Sequence, residues 1–278
     1  MIKPTLLTLA YAMLRAKNAL RQSTHCLRVL MYHDIAPSEQ TQFEAQLRFL
    51  SKKWNFVSAT QFVSMLKGEQ PIEGRNVLLT FDDGFLSNYH VAWSILRTLK
   101  IPALFFVSTD FINLTERDQQ RDFVQNRLYL QGDSPHWKNM TWDHLRALRD
   151  QGHTIGSHTC SHADLSQVES ESILIREIKE SRDILEAQLQ VKIEHFAVPY
   201  GRLEHMNLRA FSIAKAHYPY IYSGIRGNNI HYKHVCAIAR DAISPQDPRR
   251  VVGAFLEGAV DRRYMKKLAQ FSQMASSA

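Results

Sequence analysis

Short apolar runs alternate along most of this chain with longer segments in which apolar residues recur every three or four positions. The apolar runs predict strands over residues 27–32, 56–58, 76–81, 103–107, 153–157, 194–198, 220–222 and 235–239. The periodic segments predict helices over residues 41–52, 60–66, 88–99, 141–149, 168–189, 203–216 and 250–271. Thr141 and Ser166 are the predicted N-caps of two of these helices.

This alternation predicts one α/β domain built on parallel strands. Strands that alternate with helices are joined by right-handed crossovers, and the wholly apolar strand at 103–107 is expected to be buried on both faces. Seven or eight such units favour a closed or nearly closed barrel. One stretch breaks the pattern: residues 110–139 are polar and aperiodic, which is typical of a functional loop or an insertion.

Composition narrows the choice of compartment and partner. The chain has 278 residues, of which 45% are hydrophobic, and a net charge of +7 without a long Lys/Arg block. It is large enough for a sizeable core, and no nucleic-acid partner is predicted. The three cysteines, Cys26, Cys160 and Cys236, are far apart in sequence. This pattern predicts free thiols in a reducing compartment.

Residues 1–26 form a predicted N-terminal helical extension. Their apolar run, over residues 4–14, is too short to span a bilayer and lacks a clear signal-peptide cleavage site. We therefore expect a cytoplasmic protein. The alternative is peripheral contact of a basic amphipathic helix with the inner face of the membrane.

The first candidate catalytic motif is Thr80-Phe81-Asp82-Asp83-Gly84, at the end of the predicted strand at 76–81. Two adjacent carboxylates at the end of a buried strand repel each other and lose hydration, so they need a cation or a shared proton. The alternative is a polar turn in which Asp and Gly serve only the turn geometry.

A second motif, His158-Thr159-Cys160-Ser161-His162, follows another predicted strand. Imidazoles four residues apart can converge on one metal ion, and the alternative is a pair of solvated loop histidines. The C-terminal ends of parallel strands open onto one face, so these histidines should meet Asp82, Asp83 and the strand-end residue His33. Two histidines and one carboxylate are typical of a catalytic zinc or similar ion, which leaves the second carboxylate free to act as a base.

Three segments resemble the motifs of the polysaccharide deacetylases (carbohydrate esterase family four), in matching order and spacing. They are Thr-Phe-Asp-Asp-Gly at 80–84, Ser-His-Thr-Cys-Ser-His at 157–162 and Phe-Ala-Val-Pro-Tyr-Gly at 196–201. The resemblance implies a single distorted (β/α)7 barrel over residues 27–278. It also implies one divalent metal ion, zinc first and cobalt or nickel as alternatives, and removal of N-acetyl groups from amino sugars of a polysaccharide or a lipid-linked glycan.

The resemblance also implies roles for individual residues. Asp82 corresponds to the general base, and the backbone N–H of Tyr200 corresponds to an oxyanion donor. The metal ligands are then Asp83, His158 and His162.

The chain departs from the family pattern at two points. Where the family has an arginine that orients the base, this chain has Ala197, and we expect Arg240 to supply the guanidinium instead. The usual late Leu-x-His motif of the general acid is also missing, and the late histidines His231 and His234 stand in a polar stretch. A branch of the family that acts on poly-N-acetylglucosamine carries the acid in an N-terminal Tyr-His, which Tyr32-His33 resembles, so His33 is the predicted acid.

Two other functions remain open from the sequence. The same site could remove a formyl or other small acyl group from a lipid-linked sugar. Alternatively, the barrel could bind carbohydrate without catalysis. The expected partner is in each case a carbohydrate or glycolipid.

Overall fold

The computed structural model describes residues 25–231 and 235–278. Most of the predicted N-terminal extension lies outside the described residues, and so do His234 and the side chain of His231. Of residues 1–26, Cys26 belongs to the first strand.

Eight parallel strands form the frame of the molecule, seven of them in one continuous order and one beside it. The strands are β1 (Cys26–Tyr32), β2 (Asn55–Phe56), β3 (Arg75–Phe81), β4 (Ala103–Val107), β5 (Thr154–Ser157), β6 (His195–Ala197), β7 (Tyr220–Tyr222) and β8 (Asp241–Ala242). Their order is β7-β6-β5-β4-β3-β1-β8, with β2 paired beside β3. A parallel bridge from Tyr222 to Ile238, shortly before β8, joins the two ends of the sheet. The predicted distorted (β/α)7 barrel is thereby confirmed.

Helices connect the strands and cover the outside of the barrel. They are α1 (Gln40–Leu50), α2 (Ala59–Lys67), α3 (Leu86–Val91), α4 (Arg97–Leu99), α5 (Thr109–Ile112), α6 (Arg117–Asn126), α7 (Trp142–Asp150), α8 (Glu171–Ile175), α9 (Ser181–Leu189), α10 (Leu208–His217), α11 (Arg249–Leu256) and α12 (Met265–Ser277). Two π-helical turns, Ala92–Leu96 and Arg176–Glu180, join α3 to α4 and α8 to α9. The predicted cap is confirmed at α7, where the Thr141 hydroxyl accepts from the His144 N–H.

Several predicted boundaries were wrong for local reasons. The helix predicted over 168–189 begins only at Glu171, because Ser166 donates to Asp164 in a turn instead of capping the helix. The helix predicted over 250–271 is interrupted, because Gly258 adopts φ +83° and the Ala259 N–H donates to the Ala254 carbonyl. This bond pattern ends a helix even where apolar periodicity continues.

Two further segments differ from prediction at the strand and helix ends. The predicted helix over 203–216 opens as a separate 3-10 turn, Leu203–His205, before α10 starts at Leu208. The strand predicted over 235–239 contributes only the bridge at Ile238, and β8 follows at Asp241–Ala242. Both segments are too short for periodicity to fix their ends.

Side-chain alternation along the strands separates two apolar layers. Leu78 of β3 packs with Val29 of β1, Phe106 of β4 and Ile238 of the closing bridge, which identifies the barrel interior. Its neighbours on the opposite side of the strand, such as Leu79, pack against the surrounding helices. Because the strand period is two, the next positions on the interior side after residue 78 are residues 80 and 82.

The aperiodic stretch at 110–139 is an insertion with a small core of its own. It contains α5 and α6, and its apolar residues cluster around Phe85: Phe111, Phe123, Val124 and Trp137. The Arg117 guanidinium donates to the carbonyls of Trp137 and Ser134, and the Asn139 amide donates to the Phe111 carbonyl at 2.7 Å. These bonds fix the insertion beside the C-terminal ends of the strands.

Candidate active site

Asp82 and Asp83 follow β3 directly and face different ways. The Asp82 N–H still donates to the Tyr32 carbonyl at 2.9 Å, so the parallel ladder continues through this residue. Asp83 then adopts φ +76° and Gly84 φ +103°, a backbone that Asp and Gly tolerate better than other residues. The strand thus ends in a turn that presents two buried carboxylates.

His158 and His162 lie on the loop that follows β5, and each ring is fixed through its Nδ1 atom. His158 Nδ1 is 2.8 Å from the Ala197 carbonyl, and His162 Nδ1 is 3.1 Å from the Arg127 carbonyl. A carbonyl only accepts, so Nδ1 carries the proton and Nε2 keeps its lone pair. Hydrogen bonds of this kind orient metal-ligating histidines.

The two Nε2 atoms converge on Asp83. His158 Nε2 and His162 Nε2 lie 3.6 and 3.5 Å from Asp83 Oδ1. Ligand atoms about 2.1 Å from one tetrahedral ion are separated by roughly 3.4 Å. Asp83 Oδ1 is buried and accepts no hydrogen bond within the described chain. This unpartnered oxygen and the two free lone pairs fit a divalent cation.

Burial sets the charge of these three groups. It raises the pKa of the Asp83 carboxyl to about 7, lowers the pKa of His158 to about 4 and holds the pKa of His162 well below its ordinary range. Both imidazoles are therefore neutral at neutral pH, which is the form that binds metal. The set lacks a positive charge of its own, and a metal ion would provide it. Cys160, between the histidines, turns away: its thiol contacts the Arg176 carbonyl at 3.2 Å.

Asp82 is paired with Arg240 in the barrel interior. The guanidinium donates from Nη1 to Asp82 Oδ1 at 2.6 Å and from Nη2 to Oδ2 at 2.8 Å. Its Nε donates to the Ser223 carbonyl at 2.8 Å, and the group lies over the Phe106 ring at 5.2 Å. Burial raises the pKa of Asp82, but the charge and hydrogen bonds of Arg240 outweigh it, so the net pKa lies below the ordinary range.

His33 lies at the exposed end of β1 on the same face. Tyr32 of β1 is paired in register with Phe81 of β3, so His33 follows its strand at the same level as Asp82. The His33 backbone carbonyl accepts from the Asn88 amide at 2.8 Å, which fixes the turn after the strand.

Tyr200 brings the third motif to the same site. It adopts φ +59°, and its ring packs edge-on against His162, with centroids 4.6 Å apart. Its hydroxyl donates to the Arg127 carbonyl at 2.8 Å, the same oxygen that His162 Nδ1 contacts. The structure thus brings all seven residues named from the sequence to one end of the barrel.

Three participants were missed by the sequence analysis. The Arg127 carbonyl is a backbone group, and only the position of the insertion could have suggested it. Asp34, beside His33, accepts from the Ser87 hydroxyl at 2.6 Å and contacts His136 Nε2 at 2.8 Å. These contacts join the end of β1 to the insertion. His136 lies within the aperiodic insertion and not directly after a predicted strand, so no motif spacing identifies it.

Comparisons with known proteins indicate a single family. A model of the family described as polysaccharide deacetylase matches residues 69–219. The chain is 27% identical over 166 residues to the poly-beta-1,6-N-acetyl-D-glucosamine N-deacetylase of Staphylococcus aureus (strain MRSA252), covering 58% of this chain and 53% of that protein. The chain therefore spans about half the length of that relative.

Two solved structures share the fold. The deacetylase PplD of Streptococcus pyogenes, in complex with acetate, matches with a TM-score of 0.67 and 22% identity over 84% of this chain and 99% of that chain. IcaB of Ammonifex degensii matches with a TM-score of 0.67 and 23% identity over 85% and 98%. Among the described residues, no helix is both long and apolar enough to cross a membrane.

Proposed function

This chain belongs to the polysaccharide deacetylase family, whose model covers more than half of its residues, and from that membership we propose that it is a metal-dependent hydrolase of N-acetylated amino sugars. The observation that carries the proposal is that a possible set of metal ligands lies beside an ionised carboxylate. Asp83, His158 and His162 form a ligand set, and beside it Asp82 is held ionised by Arg240.

The proposed substrate is a polysaccharide or lipid-linked glycan with N-acetylglucosamine-type residues. Support comes from the relative in Staphylococcus aureus, whose name specifies a poly-N-acetylglucosamine. Two residues at this end of the barrel, His33 and Tyr129, are exposed, and a long substrate would reach the site from their side. Cytoplasmic location and contact with the inner membrane face stay predictions from the sequence.

In this proposal Asp83, His158 and His162 hold one divalent ion, zinc or alternatively cobalt or nickel. When bound, such an ion polarises a carbonyl and makes water a stronger nucleophile near neutral pH. The protein groups then divide the proton transfers. Asp82 accepts a proton from the attacking water, and Arg240 keeps Asp82 ionised and aligned for that step.

The other two residues act on the oxygen and the nitrogen of the amide that is broken. The backbone N–H of Tyr200 donates to the oxygen that becomes negative during the attack. His33 donates a proton to the departing nitrogen, so that the amino sugar leaves as a neutral amine. The reaction thus needs an ionised Asp82 and a protonated His33 at the same time, and the low pKa of Asp82 widens the pH range in which both occur.

Metal content and acyl release test the proposal together. The purified chain is reconstituted with zinc, analysed for bound metal, and assayed on N-acetylglucosamine oligomers and on matched N-formyl sugars. We expect about one ion per chain and release of acetate, with both lost in Asp83→Ala. A matched control is Asp150→Ala, an exposed carboxylate at the end of α7, which should retain both.

Other results would redirect the proposal. A chain that binds no metal after reconstitution would contradict it. Bound metal without release of any acyl group would favour the carbohydrate-binding alternative, and release of formate alone would favour the deformylase.

A further inference from the structure

Glu177 is a buried carboxylate that has no part in the proposed reaction. It is 1% exposed and lies in the π-helical turn Arg176–Glu180 between α8 and α9. Buried carboxylates are costly unless they are paired and hydrogen-bonded, and π turns inside helices are frequent at functional sites. The contacts of Glu177 show what it does here.

Both carboxylate oxygens of Glu177 bind the residue that directly precedes the ligand His162. Oε2 accepts from the Ser161 N–H at 2.8 Å, and Oε1 accepts from the Ser161 hydroxyl at 2.8 Å. Arg176 neutralises the group, with Nη1 2.7 Å from Oε1. The carboxylate therefore binds both the backbone N–H and the side-chain hydroxyl of Ser161, a residue of the metal-binding loop.

The backbone of the π turn holds the preceding residue of the same loop. The Glu177 carbonyl accepts from the Cys160 N–H at 3.2 Å, and the Arg176 carbonyl accepts from the Cys160 thiol at 3.2 Å. The widened turn thus presents two carbonyls and one carboxylate to the residues between the two histidine ligands.

The opposite side of the loop is held by the start of the insertion. The Thr109 N–H donates to the Thr159 carbonyl at 3.3 Å, and the Asp110 N–H donates to the Cys160 carbonyl at 2.9 Å. Arg176 links the two sides, because its Nη2 contacts Asp110 at 2.8 Å. The three residues between the ligands are therefore clamped from both sides.

The loop needs such a clamp because its backbone is strained. Thr159 adopts φ +67° and His162 adopts φ +57°, a region that residues other than glycine rarely occupy. Strained backbone persists where surrounding contacts over-determine it. In this loop the strain brings both Nε2 atoms to Asp83.

We propose that Glu177 is a positioning residue for the metal site, which holds His162 at the distance from His158 and Asp83 that one divalent ion requires. This inference rests on the proposed metal-dependent function. The buried carboxylate of the π turn then strengthens metal binding, and this effect is distinct from any contribution of the carboxylate to folding.

The test compares Glu177→Gln with Glu180→Gln, an exposed carboxylate of the same turn. Glutamine keeps the size of Glu177 but places an NH₂ group where Ser161 or Arg176 donates. Zinc affinity of the metal-free chains is measured by competition with a chelator, and the cobalt forms are compared by visible absorption. We expect affinity about 10- to 100-fold weaker in Glu177→Gln, the range found for groups that orient metal ligands, with an altered cobalt spectrum. Glu180→Gln should match the parent chain.

A third variant keeps the test decisive if Glu177→Gln does not fold. Ser161→Ala removes only the hydroxyl contact, and we expect a smaller loss of zinc affinity with normal folding. Parent affinity in either folded variant, even with a lower melting temperature, would overturn the inference and leave the proposed function standing. A parent chain that binds no zinc would refute the proposed function itself, and the inference with it.

Discussion

Replacing Arg240 with methionine should remove most of the catalytic rate and change its pH dependence. The variant loses the guanidinium that contacts both oxygens of Asp82. Burial then dominates the environment of Asp82, and its pKa rises. A protonated Asp82 cannot accept a proton from water, so the acid limb of kcat/KM should move to higher pH. Activity at neutral pH should fall by up to about 10²- to 10⁴-fold, the usual contribution of a general base.

The stability cost follows from the same contacts. Each hydrogen bond between charged groups contributes about 1.5–3 kcal/mol, and Arg240 makes two such bonds to Asp82. Breaking a buried ion pair by removing one partner costs about 3–5 kcal/mol, which agrees with the sum of the two. In the parent chain the low pKa of Asp82 means that this stabilisation is complete at neutral pH and is lost only in acid, as the carboxyl is protonated.

The assay is acetate release from N-acetylglucosamine oligomers as a function of pH, with bound metal measured in each sample. Arg226→Met is the matched control: Arg226 pairs with Asp241 at 3.5 Å, away from Asp82. It should lower stability without moving the pH profile. A variant Arg240→Met that keeps its metal, folds, and shows the parent acid limb would refute the assignment of Arg240 to Asp82 ionisation.

Three further predictions concern the ligands, the acid and the frame. Asp83→Asn should lose metal, yet the metal-free variant should unfold at a higher temperature than the metal-free parent chain. Burial raises the Asp83 pKa to about 7 from 3.8, so the variant avoids the cost of burying a charged carboxylate. The gain in stability, about 1–3 kcal/mol, should be absent near pH 4 and grow towards pH 7, as measured by thermal unfolding. His33→Ala should lower kcat by about 10²- to 10⁴-fold with metal content unchanged, and a near-parent rate would remove His33 from the mechanism. Arg28→Met, which breaks a buried pair with Asp241 at 2.7 Å, should cost about 3–5 kcal/mol in chemical denaturation without changing zinc affinity.

The grouping of Asp83, His158 and His162, the candidate metal ligands, was predictable because local sequence fixes the place of each. Asp83 lies just after β3 and His158 directly after β5, so the parallel topology alone brings them to one face. Seven of the eight strands were predicted from short apolar runs, whereas β8 (Asp241–Ala242) is too short and too polar to form an apolar run. The ends of elements were less predictable, because hydrogen bonds such as Ser166 to Asp164 decide them and leave no mark in the periodicity.

The groups that hold the candidate metal ligands in place were not predictable from spacing. The carbonyl of Arg127 contacts His162, but a backbone oxygen has no residue identity for a pattern to detect. Asp34 and His136 meet across the insertion, and their separation in sequence depends on how the insertion folds. Glu177 lies within a segment that reads as an uninterrupted helix, and only the π turn aims its carboxylate at Ser161.

The predicted replacement of the family's arginine, which is Ala197 in this chain, by Arg240 is compatible with the closed ring. Ala197 of β6 packs in the barrel interior with Phe106, and the Arg240 guanidinium lies over the same Phe106 ring. Both positions therefore open into one space, although they lie on different strands. A guanidinium pairs with a carboxylate by the direction of its two N–H groups, whatever strand it comes from. The order β3-β1-β8 places Arg240 two strands from Asp82, so an arginine near the closing strand can occupy the space that a small residue on β6 leaves.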